Sequence, residues 1–143
     1  MAEPVFPDVI VYVCANCTPG DGRLPRQWSQ GGLRVAVREV PCGGKMDSQY
    51  LLHAFEGGGA GLCVVTCPKG ECRLGQGNYR AEVRLGTVRR LLGEIGIEPE
   101  RVELLRWAAG DPFEPFERAV RASVGRICVL GKSPIALAAG QDA

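Results

Sequence analysis

Seven cysteines give this chain its most distinctive chemistry. Five of them form a candidate metal-binding set: Cys14, Cys17, Cys42, Cys67 and Cys72. Grouped thiolates bind iron–sulfur clusters or zinc. Two features favour a cluster: glycines beside the cysteines let backbone N–H groups approach bridging sulfides, and only one pair has the C-x-x-C spacing of a zinc knuckle. A two-iron cluster takes four ligands, so we expect four of the five cysteines to bind iron.

The other two cysteines and the single histidine are not expected to bind metal. Cys63 and Cys128 lie inside apolar runs, where a thiol behaves as a small hydrophobic residue. His53 falls in a predicted helix and is expected to pack or to face solvent. A Rieske centre would need two histidines, which excludes that type of cluster.

The order of apolar segments predicts the elements that must position the cysteines. β-Branched runs predict buried strands at residues 9–13, 33–40, 61–66 and 102–107. Helical periodicity predicts helices at residues 47–55, 78–95 and 113–124, with Gly96 ending the second. Residues 17–32 are rich in Gly and Pro and lack an apolar stripe, so we expect a long loop there. Alternating strands and helices indicate a single-domain α/β fold with a mainly parallel four-stranded sheet flanked by helices.

This fold would bring the candidate cysteines together at the carboxyl ends of the strands. Cys14, Cys42 and Cys67 each close a predicted strand. The carboxyl ends of neighbouring parallel strands lie at one edge of a sheet, which is where open α/β sheets bind their ligands. Cys17 and Cys72 follow in short segments after Cys14 and Cys67, so all five thiols can face one point.

Length and composition are those of one ordinary globular domain. The chain has 143 residues, of which 45% are hydrophobic and 23% are charged. The formal charge of +1 gives no reason to expect nucleic acid or an anionic membrane as a partner. We find no signal peptide or membrane span and expect a cytoplasmic protein, in which thiols stay reduced. We expect residues 1–134 to form the iron–sulfur domain and residues 135–143 to form a flexible tail.

Four segments resemble the small delta subunit of methyl-viologen-reducing hydrogenases. They are VCANC at residues 13–17, VPCGGKMD at 40–47, TCPKGECRLGQGNYRAEVR at 66–84 and LLGEIGIEPERVELL at 91–105. The resemblance extends over nearly the whole chain. Two positions depart from the family pattern: the family often has a further cysteine where this chain has Val13, and an aromatic residue where it has Asn16.

The resemblance implies an adaptor that carries one 2Fe–2S cluster on cysteines matching Cys14, Cys17, Cys42, Cys67 and Cys72. Such a protein passes single electrons and transforms no substrate. Its implied partners are the flavin subunit of a heterodisulfide-reductase-like complex and a hydrogenase, a formate dehydrogenase or another iron–sulfur subunit.

Two alternatives remain open from the residues themselves. Cys14 and Cys17 have the C-x-x-C spacing of a thiol–disulfide oxidoreductase. Thr18-Pro19-Gly20 disfavours the helix start that such a motif needs, and three cysteines would stay unexplained. The second alternative is a zinc-stabilised interaction module with no redox role.

Overall fold

The structure, a computed structural model, describes residues 7–14, 22–40, 55, 59–66, 77–107 and 112–131, and within residues 77–81 only the course of the helix.

A five-stranded sheet forms the centre of the described fold. Its strands are β1 (Val9–Cys14), β2 (Gln27–Gln30), β3 (Leu33–Val40), β4 (Gly61–Thr66) and β5 (Val102–Arg106). They lie in the order β2-β3-β1-β4-β5. β3, β1, β4 and β5 are parallel, and β2 is antiparallel to β3. The predicted α/β class and the four parallel strands are therefore confirmed, but the sheet has one strand more than predicted.

The additional strand, β2, corrects the prediction of a loop over residues 17–32. β2 and β3 form a hairpin whose two-residue turn is Gly31 (φ 57°) and Gly32 (φ 78°). Positive φ at both positions is typical of the type I′ turn, which matches the twist of the paired strands. Because β2 is antiparallel to β3, the chain leaves β1 and enters β2 at the same edge. No crossover is needed between β1 and β2.

The first helix, α1 (Gly77–Glu94), covers one face of the sheet. Its buried side chains Leu85, Val88 and Leu92 pack against the face that carries Tyr12 and Val64. The prediction of this helix is confirmed, and so is its end at Gly96, which has φ 84°. Ile95, the last residue of the predicted helix, is 65% exposed and does not extend the buried stripe. Ile97 packs beneath the helix instead, and its N–H donates to the Leu92 carbonyl at 2.8 Å.

The second helix, α2 (Phe113–Leu130), covers the opposite face. Phe116, Val120, Val124 and Ile127 are fully buried against alternate side chains of β1, β3 and β4. The helix extends six residues beyond the predicted end at residue 124, since Ile127 still packs on the sheet.

Arg101 fixes the end of α2 to the amino edge of the sheet. This arginine ends a 3₁₀ turn, Pro99–Arg101, and is only 2% exposed. Its guanidinium donates to the carbonyls of Ala60 at 2.9 Å, Gly131 at 2.5 Å and Leu130 at 3.2 Å. The Glu98 carboxylate, 2.6 Å away, balances its charge. The last carbonyls of a helix need such partners because they have none within the helix.

Some predictions fall outside the described ranges. The predicted helix over residues 47–55 is represented there by Phe55 alone, which is buried beside α1. The predicted tail, residues 135–143, is also outside them. No helix in the described part of the chain is both long and apolar enough to cross a membrane.

Candidate metal centre

Three of the candidate cysteines end a strand or closely follow one in the sequence, and these three strands are neighbours in the sheet. β1 lies between β3 and β4, with Cys14 opposite Val40 and Val13 opposite Val65. Cys14 is the last residue of β1. In the sequence, Cys42 follows the end of β3 by two residues, and Cys67 directly follows the end of β4. The strand ends that lead to the three cysteines therefore lie side by side, as predicted.

Only one of the five candidate ligands lies within the described residues. Cys14 is 2% exposed and belongs to the apolar cluster beneath α2. Cys17, Cys42, Cys67 and Cys72 are outside the described ranges, as is His53. Within those ranges, no three His, Cys, Asp or Glu side chains are grouped so that they could hold a metal ion.

The topology of the sheet favours ligand binding at this edge. The second parallel strand, β3, lies on one side of β1, and the third, β4, lies on the other. The chain thus reverses its direction of winding around β1. In open α/β sheets, ligands bind outside the carboxyl ends of the strands at such a switch point. Cys14 and Thr66 end the two strands that meet there.

Unpartnered hydrogen-bond donors mark the same edge. Among the described residues, three buried side-chain atoms have no hydrogen-bond partner: Thr66 Oγ1, Arg106 Nη1 and Trp107 Nε1. Thr66 ends β4, Arg106 ends β5, and Trp107 follows directly. All three atoms carry hydrogens to donate, and burying such a donor without an acceptor costs about 1–3 kcal/mol. Thiolate and sulfide sulfurs are acceptors, so this donor set fits a sulfur-rich anionic group.

Comparison with known proteins identifies the family of the chain. The family described as methyl-viologen-reducing hydrogenase, delta subunit, matches residues 9–131. The chain belongs to that family. The resemblance predicted from the cysteine segments is confirmed, and it spans the whole described sheet and both helices.

Relatives of this chain include proteins named as iron–sulfur subunits of hydrogenases. The iron-sulfur subunit of the F420-non-reducing hydrogenase of Archaeoglobus profundus is 34% identical over 137 residues, which cover 92% of this chain and 96% of the relative. The vhu iron-sulfur subunit of Methanocaldococcus jannaschii is 36% identical over 130 residues, or 90% and 96% of the two chains. A subunit of the ferredoxin:CoB-CoM heterodisulfide reductase of Methanosarcina mazei is 27% identical over 120 residues, which are 84% of this chain but 14% of that protein.

Two cysteines in the described part of the chain lie away from the candidate centre. Cys63 is in the middle of β4 and is fully buried. Burial and then the nearby Glu103 carboxylate raise the pKa of its thiol to about 12, although a hydrogen bond with Ser123 acts in the opposite direction. Metal binding requires a thiolate, so this environment disfavours Cys63 as a ligand.

Cys128 lies near the end of α2, at the opposite edge of the sheet. Its Sγ donates to the Gln30 carbonyl at 3.3 Å, and its side chain is only partly buried. Burial and the Asp8 carboxylate raise the pKa of this thiol. The expectation that Cys63 is a core residue is confirmed, whereas Cys128 sits at the border of the core.

An open groove of about 320 Å³ adjoins the carboxyl edge on the α2 side. Its apolar wall includes Val13, Val37 and Phe116. The exposed residues Arg23, Arg26 and Glu39 line its rim. The edge therefore combines the candidate centre with a concave surface of mixed charge.

Thr66, Arg106 and Trp107 were not predicted from the sequence as residues of the site. A hydroxyl residue at the end of an otherwise apolar strand, directly before a candidate ligand, was the available signal for Thr66. Nothing comparable distinguished Arg106 from the other arginines.

Proposed function

We propose that this chain is a non-catalytic electron-transfer subunit that holds one 2Fe–2S cluster. Four of Cys14, Cys17, Cys42, Cys67 and Cys72 bind the cluster at the carboxyl edge of the sheet. The observation that carries the proposal is the adjacency of the ends of β3, β1 and β4, which lead into Cys42, contain Cys14 and precede Cys67. The words "iron-sulfur subunit" in the name of the Archaeoglobus relative support it.

Chain connectivity is compatible with one shared centre. Neighbouring strands lie about 4.8 Å apart. An extended chain spans at most about 3.6 Å per residue. The Cα atom of Cys42 is therefore within about 7 Å of the Val40 Cα atom, and the Cα atom of Cys67 is within about 4 Å of the Thr66 Cα atom. Three thiols can thus converge on a group beside Cys14. The fourth ligand comes from Cys17 or Cys72, or one of these replaces a member of the first three.

The residues of the chain hold and shield the cluster. When bound, the cluster supplies a site that takes up and releases one electron at a time. Cys14 and Thr66 are almost fully buried, so the side of the centre that rests on the sheet excludes water. Electron transfer would proceed through the remaining, partner-facing side.

The partners we propose, all in the cytoplasm, are of two kinds. One is a flavin-containing heterodisulfide-reductase-like subunit; the other is a hydrogenase, formate dehydrogenase or other iron–sulfur subunit. The match to the Methanosarcina protein supports the first kind, because a segment similar to most of this chain occupies 14% of that longer protein. Similar sequence makes up almost the whole Archaeoglobus subunit and a segment of the larger Methanosarcina chain, which suits a module that docks against the remainder of that larger chain. The groove beside the centre offers a surface for such docking.

Burial of Cys14 argues against the thiol–disulfide oxidoreductase alternative. The attacking thiolate of such an enzyme must reach a disulfide on another molecule. Cys14 is 2% exposed, which blocks that approach.

Cysteine replacement tests the proposed ligands. Cys67→Ser should reduce iron and acid-labile sulfide to less than about half of the wild-type content, because one of about four thiolates is lost. Cys128→Ser is the matched control at the opposite edge and should keep full content. Because only one of the five cysteines is spare, wild-type iron in both Cys67→Ser and Cys42→Ser would refute this ligand assignment, and zinc in place of iron in the wild-type chain would favour the zinc-stabilised interaction module.

A further inference from the structure

Two of the unpartnered donors belong to residues that lie side by side on neighbouring parallel strands. Thr66 is paired with Arg106 in the register of β4 and β5. Thr66 is 1% exposed, yet within the described ranges neither its Oγ1 nor Arg106 Nη1 has a hydrogen-bond partner. We refer to Thr66 Oγ1 and Arg106 Nη1 as the donor pair.

Another hydrogen bond holds each of these two residues in place. The Thr66 carbonyl accepts from the Trp107 N–H at 2.9 Å. A second guanidinium nitrogen of Arg106, Nη2, donates to Glu82 of α1 at 2.6 Å. These contacts hold the backbone of Thr66 and the side chain of Arg106 in place, while Thr66 Oγ1 and Arg106 Nη1 have no acceptor among the described residues.

A valine at position 66 would fill nearly the same volume without a buried hydroxyl. The other residues of β4 have apolar side chains, a thiol or no side chain, and all six positions are buried. An unused hydroxyl here costs stability unless an acceptor is supplied. The next residue along the chain is Cys67, a candidate ligand.

We propose that the donor pair of Thr66 and Arg106 binds sulfur atoms of the metal centre and raises its reduction potential. The inference rests on the proposed function and assigns a positioning role to two residues that are not ligands. Hydrogen bonds to cluster sulfurs and a nearby guanidinium stabilise the more negative, reduced state. Removal of either donor should therefore favour the oxidised state.

The test is a redox titration of the full-length protein with its cluster, followed by visible and EPR spectra. Thr66→Val should shift the equilibrium about tenfold toward the oxidised state, which is about 59 mV for a one-electron couple. Thr66→Ser keeps the hydroxyl and should restore the wild-type value. Arg106→Gln should shift the equilibrium in the same direction as Thr66→Val.

Arg126→Gln is the matched charge control. Arg126 pairs with Glu103 through an exposed contact of 2.7 Å at the start of β5, so its loss should leave the potential unchanged. An equal shift in Arg126→Gln and Arg106→Gln would overturn the role of Arg106.

The outcomes separate this inference from the proposed function. Thr66→Val with full iron content and less than a twofold shift would overturn the inference and leave the cluster proposal standing. A wild-type chain without iron would overturn both. A third outcome is a Thr66→Val variant that folds but loses the cluster. In that case, a cluster retained in Thr66→Ser supports the hydroxyl as the required group, and a cluster lost from both variants overturns the inference.

Discussion

Replacement of Arg101 by methionine tests how the fold is held together beneath the candidate centre. Methionine keeps much of the apolar stem but removes the guanidinium. The variant loses donors to the carbonyls of Ala60, Leu130 and Gly131 and the ion pair with Glu98. Breaking a buried ion pair from one side costs about 3–5 kcal/mol. Because Glu98 is 43% exposed and can regain water, we expect a cost of about 3 kcal/mol.

Thermal unfolding followed by far-UV circular dichroism measures this cost. For a chain of this size, about 3 kcal/mol corresponds to a fall in Tm of roughly 10 °C. Arg126→Met is the control, since its ion pair with Glu103 is 60% exposed on the arginine side and should contribute less than about 1 kcal/mol. Arg101 lies at the amino edge, so the folded variant should keep its iron. Equal Tm values for Arg101→Met and Arg126→Met would refute the assigned role.

Substitutions at two buried residues of β4, Gly61 and Cys63, test the packing and the electrostatics of this strand. In Gly61→Ala, the new methyl group would meet the Arg101 carbonyl oxygen and lie 2.7 Å from Ile127 Cγ2, so we expect a loss of about 1–3 kcal/mol in urea unfolding. Gly93→Ala has no neighbour closer than 3.9 Å and should be neutral or stabilising; similar losses in both variants would contradict the close approach at Gly61. The raised pKa of Cys63, about 12, keeps its thiol protonated in the folded state while the unfolded thiol ionises near 9. Its contribution to stability is therefore complete below about pH 9 and disappears as the pH rises toward 12. Cys63→Ala should flatten this part of the stability–pH curve, and an unchanged slope would show that Cys63 is not the responsible group.

The four parallel strands could be predicted from the sequence because each is a short apolar run that is buried by the helices. Predicted and observed ends of these strands differ by at most one residue. β2 was missed because only one of its four residues is apolar. Distant contacts hold this edge strand: Arg121 lies 4.7 Å over the Trp28 ring, and Gln30 Nε2 donates to the Arg121 carbonyl at 2.8 Å. The Gly31-Gly32 turn was the local signal for the hairpin.

The candidate centre could be predicted only in part. The rule that parallel strands end at one edge was sufficient to bring Cys14 and the segments before Cys42 and Cys67 together. The donor pair could not be found in this way. A threonine hydroxyl becomes notable only when its burial and the lack of an acceptor are known, and both depend on residues far away in the sequence.

Electron transfer by this chain requires that it carry an iron–sulfur cluster. The most direct measurement is the iron, acid-labile sulfide and zinc content of the anaerobically purified protein, with visible and EPR spectra before and after dithionite. We predict about two irons and two sulfides per chain, bleaching on reduction and the appearance of a one-electron paramagnetic signal. Zinc alone, or no metal together with a reversible disulfide, would contradict the proposal that this chain is an iron–sulfur electron carrier.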